Sequence, residues 1–439
     1  MIIAKIKEKI YIVLNKIHLW IFKVEMGPET ARFAKNIGYM SFGTIGYTAI
    51  LFIANFSVIR FFGPEEYGKY ILLFSIVSLL TMPMYFGLHT SLTKFLPEND
   101  GDENGQKKIS ATAISLAILL TVICAAIYIF FSDTLANQLK VSASLFILAI
   151  TYSVFAVFKG LADALLKGLK EFREQAKFAL YYAVVILALF FILWFCTGSR
   201  SYTVYAGSII AGIIFYSLFV FIKYRKRVFP LSYDRAVGSK LLNYGFFSTI
   251  GALSWAIIGT SDRFFLNNLS DAKIVGIYAA YYGASMLITS RALGVFLNVF
   301  FPTVAGIKDK KIIGKKLNKM MLVSAIPIFL LNCITIFAAI FLYGESYPLN
   351  FGWMAAFSIS SVIFTFSSIR WNLVAAEGVV SMRYCAIHSI ICIVINLASN
   401  ALLVARFNVL GAVFASVISS TYLLAVSALY FYKYEQTRT

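Results

Sequence analysis

Long apolar runs constrain the fold of this chain more than any other feature. Runs of twenty or more residues, rich in Leu, Ile, Phe and Ala, follow one another along most of the 439 residues, with short polar segments between them. About 20 helical residues cross the roughly 30 Å hydrocarbon core of a bilayer, so each run has the length of a transmembrane helix. A membrane barrel would instead show short segments of alternating polarity. The sequence therefore predicts an all-α integral membrane protein.

Twelve spans are predicted from these runs. Only 13% of the residues are charged, against about 25% in a typical soluble domain, and most of the charges lie between the runs. The predicted spans cover residues 37–59, 70–93, 110–131, 142–165, 178–197, 203–223, 243–264, 274–303, 318–343, 349–375, 384–405 and 409–432.

The basic residues predict the orientation in the membrane. With the N-terminus placed in the cytoplasm, the inner segments hold 29 of the 39 Lys and Arg residues and the outer loops hold seven. Cytoplasmic segments carry the excess of basic residues in membrane proteins, so both termini are predicted to be cytoplasmic. The net charge of +19 is spread over many loops on this side, which argues against a nucleic-acid partner.

Four regions are predicted along the chain. Residues 1–30 begin with lysines among Ile, Leu and Trp, a pattern that differs from a signal peptide and predicts a basic amphipathic helix at the membrane surface. Residues 31–223 form a first lobe, 224–242 a cytoplasmic linker, and 243–439 a second lobe. The five cysteines lie in apolar runs without metal-binding spacing, and we predict no metal, no cofactor and no catalytic residues.

The two lobes begin alike, which indicates an internal repeat. NIGYMSFGTIG at 36–46 is similar to NYGFFSTIG at 243–251, and FGPEEYGKY at 62–70 corresponds to NLSDAKIVGIY at 268–278. Six spans return the chain to its starting side, so the repeats are predicted to be parallel and related by a pseudo-twofold axis along the membrane normal.

The segment FGPEEYGKY is predicted to be a tight outer turn between the first two spans. Pro64 fixes φ, and Gly68 is predicted to take a positive φ where the next helix begins. Glu65 and Glu66 would then lie near a helix N-terminus, where negative charge is favourable. We therefore interpret both carboxylates as structural.

The first predicted span continues into FGPEEYGKY, and the second half contains DRFFLNNLSDAKIVGIYAAYY at 262–282. These two segments resemble the beginnings of the two halves in members of the polysaccharide-exporter family. This family includes flippases for O-antigen and other lipid-linked oligosaccharides and shares a superfamily with multidrug and toxin extrusion transporters. The resemblance implies two six-helix lobes around a central cavity, the bacterial inner membrane, and a cargo of undecaprenyl-pyrophosphate-linked oligosaccharide. It is also compatible with contacts to membrane lipids, a polysaccharide polymerase and chain-length machinery.

Cationic residues within the predicted spans are the candidate substrate-binding residues. An ionised side chain at mid-membrane costs at least ~2.5–3.5 kcal/mol, so it normally faces a wet cavity or a partner. Arg291 lies near the middle of the eighth span, and its guanidinium suits a pyrophosphate; a structural hydrogen bond is the alternative. Arg370, Arg263 and Lys159 are further candidates, although Arg370 and Arg263 lie close enough to span ends to reach the interface.

Two carboxylates are candidates for ion coupling. Asp163 follows Lys159 by four residues, which places both on one helix face and allows either an ion pair or a cavity role. Asp262 lies at the outer end of the seventh span.

The predicted function is a lipid-linked oligosaccharide flippase that works by alternating access. The alternative is a multidrug or cation antiporter of the same superfamily, whose cavity would be expected to carry acids. A membrane glycosyltransferase or polysaccharide polymerase would need a sizeable extramembrane domain or long outer loop, and the sequence contains neither.

Overall fold

The computed structural model describes residues 28–294, 296–297, 310–375 and 379–436, and this part of the chain is helical with short connections. The predicted amphipathic helix at 1–30 lies almost wholly outside the described residues. The described secondary structure contains no strand, which confirms the all-α prediction.

The helices are described here in two halves of the chain, divided after Lys223. The first half contains α1 (Pro28–Tyr85), α2 (Leu88–Glu98), α3 (Glu103–Phe130), α4 (Ser132–Gln138), α5 (Ala143–Gly168), α6 (Phe172–Thr197) and α7 (Tyr202–Lys223). The second half contains α8 (Arg225–Val228), α9 (Arg235–Leu269), α10 (Ala272–Met286), α11 (Lys310–Tyr343), α12 (Phe351–Ala375), α13 (Val379–Phe407) and α14 (Val409–Gln436).

Ten helices in the described part of the chain are long and apolar enough to cross a membrane. The first predicted span and most of the second form the two arms of α1, which count as one helix, and the end of the second lies in α2. The eighth predicted span, 274–303, begins as α10, turns at residues 287–288, and extends beyond the described residues. These two differences account for the change from twelve predicted spans to ten.

The segment FGPEEYGKY forms a kink in α1. Gly63 has φ 83° and ψ 173°, a conformation that essentially only glycine adopts, and Pro64 begins the second arm. The prediction of a positive φ at Gly68 is wrong, because the turn is already completed at Gly63 and Gly68 is helical. Glu66 accepts a 2.7 Å hydrogen bond from the backbone N–H of Tyr202, the first residue of α7, which supports a structural role.

Gly68 instead allows the two halves to touch. A Cβ added to Gly68 would lie 1.7 Å from the carbonyl oxygen of Ala272, and one added to Gly276 would lie 1.8 Å from the carbonyl oxygen of Pro64. The contacts are reciprocal: Pro64 and Ala272 are equivalent positions of the predicted repeat, as are Gly68 and Gly276. A pseudo-twofold relation between the halves produces this pattern.

Contacts between the halves differ at the two ends of the bundle. At the end with Gly63, α9, α10 and α11 all approach the first half; the Arg60 guanidinium, for example, donates to the Leu342 carbonyl at 3.0 Å. At the opposite end, described contacts with the first half run mainly through α9, where Thr90 and Ser248 are hydrogen-bonded at 2.7 Å. The described parts of α12 and α14 lie in the second half, away from this contact.

The basic connection between the halves is tied to α3. Asp234 caps α9 by accepting a 2.9 Å hydrogen bond from the Val237 N–H, and it pairs with Lys108 at 2.8 Å. The Lys108 ammonium lowers the pKa of the Asp234 carboxyl below its usual range. Because of this cap, α9 begins at Arg235, inside the predicted linker; the four domain boundaries themselves stay predictions.

Candidate functional site

A cavity of about 160 Å³ lies inside the first half, between α1, α5, α6 and α7. Lys159 and Asp163 reach it from the last turns of α5, a largely apolar helix that Ser142 caps at its N-terminus. Gln175 reaches it from the first turn of α6, and Tyr216 from the corresponding end of α7. The cavity therefore lies toward the bundle end that carries the α5–α6 connection.

Asp163 is the centre of the polar contacts in this cavity. The Lys159 ammonium pairs with Asp163 Oδ2 at 2.8 Å, and the Tyr216 hydroxyl donates to Oδ1 at 2.5 Å. The Gln175 amide lies 3.5 Å from the same Oδ1. The side chains of Lys159 and Asp163 are 26% and 25% exposed, so the pair is partly wet and charge-compensated.

Tyrosine rings surround the Lys159 ammonium. Its nitrogen lies 5.2 Å from the ring centroids of both Tyr182 and Tyr216, within the range of cation–π attraction. Tyr47 of α1 stacks against Tyr182 with centroids 6.0 Å apart. Gly43 permits this approach of α1, because a Cβ there would lie 2.6 Å from the Ala176 Cβ of α6.

Asp262 and Arg263 are adjacent in sequence, but their side chains have different partners. Asp262 is 6% exposed and accepts hydrogen bonds from the Tyr278 hydroxyl and, at 2.9 Å, from the Arg263 backbone N–H. The Arg263 guanidinium instead donates to Ser75 Oγ of the first half at 3.0 Å. Its buried Nε has no partner among the described residues.

The other two candidate arginines, Arg291 and Arg370, differ in environment. Arg370 is 8% exposed, and its guanidinium donates to Asn318 Oδ1 of α11. Arg291 is exposed and lies on the helical residues 289–294 that follow the turn after α10. Leu293 of that segment and Ile369 of α12 belong to the same apolar cluster, so both arginines lie in one region of the second half.

The structure thus brings together only some of the predicted site residues. Lys159 and Asp163 share the first-half cavity, Arg291 and Arg370 share a region of the second half, and Arg263 lies where the halves meet. Among the described residues, no group of three His, Cys, Asp or Glu side chains is arranged to hold a metal ion.

Sequence reasoning missed the partners of the charged pair. Gln175, Tyr182 and Tyr216 are single polar or aromatic residues in apolar helices, and nothing in their local pattern separates them from other core residues. A second polar network was also missed: Ser261 donates to Asn396 Oδ1 at 2.5 Å, and Asn396 donates to Ser419 Oγ at 3.0 Å. Buried asparagines in a predicted span were the available signal for this network.

Sequence comparison supplies the family. Residues 33–308 match a family model described as "Polysaccharide biosynthesis protein". A curated protein of Shigella flexneri, named "Putative O-antigen transporter", is 23% identical over 312 residues, which cover 66% of this chain and 72% of that relative.

Solved transporters share the fold. A multidrug resistance MATE family transporter of the MOP superfamily, in an inward-facing conformation, aligns with a TM-score of 0.70 at 15% identity, covering 89% of this chain and 96% of that chain. An outward-facing structure gives a TM-score of 0.61 at 14% identity over 90% and 94% of the two chains. A Pyrococcus furiosus MOP superfamily transporter, described as having a binding pocket of reverse polarity, gives a TM-score of 0.59 at 13% identity over 90% and 95% of the two chains.

The family match extends over more than half of the chain, and the fold is shared with solved transporters. This protein therefore belongs to the polysaccharide biosynthesis protein family and has the fold of the MOP superfamily transporters.

Proposed function

We propose that this transporter is a flippase that carries undecaprenyl-pyrophosphate-linked oligosaccharide across the bacterial inner membrane by alternating access. The family description and the name of the Shigella flexneri relative support a polysaccharide-related cargo. The MOP superfamily fold supports transport as the activity, rather than sugar transfer.

The observation that carries the proposal is an imbalance of charge. Arg263, Arg291 and Arg370 lie in predicted spans, and none of the ion pairs found among the described residues involves any of them. The carboxylates of Asp163 and Asp262, by contrast, already accept hydrogen bonds from the chain's own donors. The excess positive charge in the second half suits an anionic cargo.

A pyrophosphate head group fits these arginines chemically. A guanidinium presents five N–H donors in a planar fork that can bind two phosphate oxygens at once. Removal of a charged head group from water is the main barrier to flipping, and fixed cations near the path lower that barrier. The polyprenyl tail needs no such compensation, because it stays in the lipid beside the bundle throughout the movement.

The proposed orientation places both termini and the α5–α6 connection in the cytoplasm. The lipid-linked cargo would then enter from the bundle end where the described contacts between the halves run mainly through α9. A polysaccharide polymerase and chain-length machinery would receive the cargo on the other side. Asp163 and Asp262 are the candidate residues for coupling to protons or other ions.

A cation antiporter is the second candidate, because the solved structures with this fold include multidrug transporters. Such a transporter would need a carboxylate free to bind its cationic cargo. In this protein the Asp163 carboxylate forms an ion pair with the Lys159 ammonium, and the buried Asp262 carboxylate accepts a hydrogen bond from the Tyr278 hydroxyl. This arrangement favours the flippase.

Proteoliposomes that contain the purified protein distinguish the two candidates. One set carries fluorescent undecaprenyl-pyrophosphate oligosaccharide in the inner leaflet, and its appearance outside is followed with an impermeant quencher. A second set is loaded with ethidium under a proton or sodium gradient. The flippase proposal predicts lipid exposure without ethidium movement; ethidium antiport without lipid exposure would establish the antiporter instead.

A further inference from the structure

We infer that the first-half cavity binds one neutral sugar ring. A second step, which rests on the proposed function, is that this ring belongs to the oligosaccharide cargo. The cavity volume of about 160 Å³ is below the roughly 300–1,000 Å³ of pockets that hold drug-sized ligands. Its small volume suits a ligand on the scale of a single ring.

The hydrogen-bonding groups of the cavity call for a ligand that both donates and accepts. Gln175 is 6% exposed, lines the cavity, and its buried Oε1 has no partner among the described residues. This oxygen requires a donor. The Lys159 ammonium carries three donors, of which one is used, in the described residues, by Asp163. The remaining two are available to acceptors on a ligand.

Hydroxyl groups satisfy both requirements at once. A cation would donate to Gln175 Oε1 but would be repelled by the Lys159 ammonium beside it. A phosphate would accept from Lys159 but would leave Gln175 Oε1 unpaired and would lie near the Asp163 carboxylate. The vicinal hydroxyls of a sugar ring donate and accept, and they carry no charge into a cavity whose own charges already balance.

The aromatic lining fits the apolar part of the same ligand. Tyr47, Tyr182 and Tyr216 all line the cavity next to the charged pair. A pyranose presents C–H faces together with a rim of hydroxyls, so it can contact tyrosine rings while its hydroxyls reach the polar groups. Aromatic rings beside unsatisfied donors and acceptors are therefore a complementary surface for a hexose.

The sugar ring would approach from the bundle end that carries the α5–α6 connection. The cavity residues of α5 lie in its last turns, and those of α6 begin at Gln175, the fourth residue of the helix. The arginines of the second half would hold the pyrophosphate while the first half contacts a sugar. Each half would then recognise a different part of one cargo.

Direct sugar binding tests the inference without requiring transport. Saturation-transfer NMR on the purified, detergent-solubilised protein would measure the binding of glucose, galactose and mannose. We expect binding of at least one hexose, and a Kd that rises about five- to tenfold in Gln175→Leu, which removes one hydrogen-bond acceptor at nearly constant volume. Tyr205→Phe removes a buried tyrosine hydroxyl elsewhere on α7 and is the matched control. Unchanged thermal unfolding would show that each variant is folded.

Two outcomes overturn the inference: no hexose binds to the folded parent protein, or binding is the same in Gln175→Leu as in the parent. The flipping assay tests the proposed function separately. If the parent protein flips the oligosaccharide lipid but binds no hexose, the proposed function stands and the sugar-site inference fails. Competition between the bound hexose and the oligosaccharide lipid would identify the cargo as the source of the ring. Uptake of free labelled hexose by the vesicles would identify the free sugar instead.

Discussion

The Lys159–Asp163 pair shows how a charged residue is accommodated inside an apolar helix. Spacing of four residues on α5 brings the two side chains together at 2.8 Å, and Tyr216 adds a hydrogen bond from α7. Removal of one member leaves the other as an uncompensated charge, which costs more than removal of both. The pair therefore acts as a unit in the stability of the first half.

A double-mutant cycle tests this coupling. We expect Lys159→Met to lower the free energy of unfolding by about 1–3 kcal/mol, because Asp163 loses its counter-ion in a partly wet cavity. The double variant Lys159→Met/Asp163→Leu should recover at least half of that loss. Denaturant unfolding in detergent micelles measures all four proteins. Additive effects of the two single variants would show that the pair is not coupled.

At the scale of the helices, the kink at Gly63 and the crossing of Gly68 with Gly276 fix how α1 meets α10. The positive φ of Gly63 turns the chain, and the absence of side chains at the crossing lets backbone contact backbone. Glu66 adds a third link, because it caps the N-terminus of α7. The segment FGPEEYGKY thus joins the two arms of α1 and also contacts α10 of the second half and the N-terminus of α7.

Gly68→Ala tests the crossing. The added methyl group would meet the Ala272 carbonyl, so the halves must separate locally, and overpacking of this kind typically costs 1–3 kcal/mol. Gly251→Ala is the matched control, because a Cβ at this helical glycine of α9 meets nothing within 4 Å. Thermal unfolding in detergent should show a fall only for Gly68→Ala. Equal melting temperatures in the two variants would rule out the close contact.

Glu66→Ala tests the cap. Loss of a helix cap costs about 0.5–2 kcal/mol, and the backbone N–H of Tyr202 would lose its partner. Glu65→Ala is the control: the Glu65 side chain is 64% exposed, and its described ion pair is with Lys69, which Glu66 also contacts. Hydrogen exchange at the start of α7 should accelerate in Glu66→Ala alone. Acceleration in both variants would point to Lys69, and not to the cap.

At the scale of the whole molecule, the sequence predicted the helical class and indicated the repeat, but it did not predict the cavity inside the first half. Hydropathy alone locates apolar helices, because the bilayer requires them, and the repeat was visible in two pairs of similar segments. The contact between Asp163 and Tyr216 joins residues 53 positions apart on different helices. No local spacing encodes such a contact, since it depends on how α5 and α7 pack together.

The orientation of the molecule in the membrane is a prediction from its basic residues. In a variant whose five cysteines are replaced by serine, a single cysteine at Ser199 should react with an impermeant maleimide added to intact cells. A cysteine at Lys107 should react only after the membrane is permeabilised, because its segment is predicted to be cytoplasmic. The reverse labelling pattern would invert the proposed topology.

Recognition of the pyrophosphate is tested by the dependence of flipping on the arginines that form no ion pair among the described residues. Proteoliposomes containing the parent, Arg263→Gln, Arg291→Gln, Arg370→Gln or the exposed control Arg406→Gln would be compared for flipping of undecaprenyl-pyrophosphate oligosaccharide. Loss of a charge-assisted hydrogen bond of about 1.5–3 kcal/mol predicts at least a tenfold slower rate for an arginine that binds the head group. We expect this loss in Arg291→Gln or Arg370→Gln, with Arg406→Gln close to the parent. Flipping at the parent rate in all four variants would contradict recognition of the pyrophosphate by these arginines.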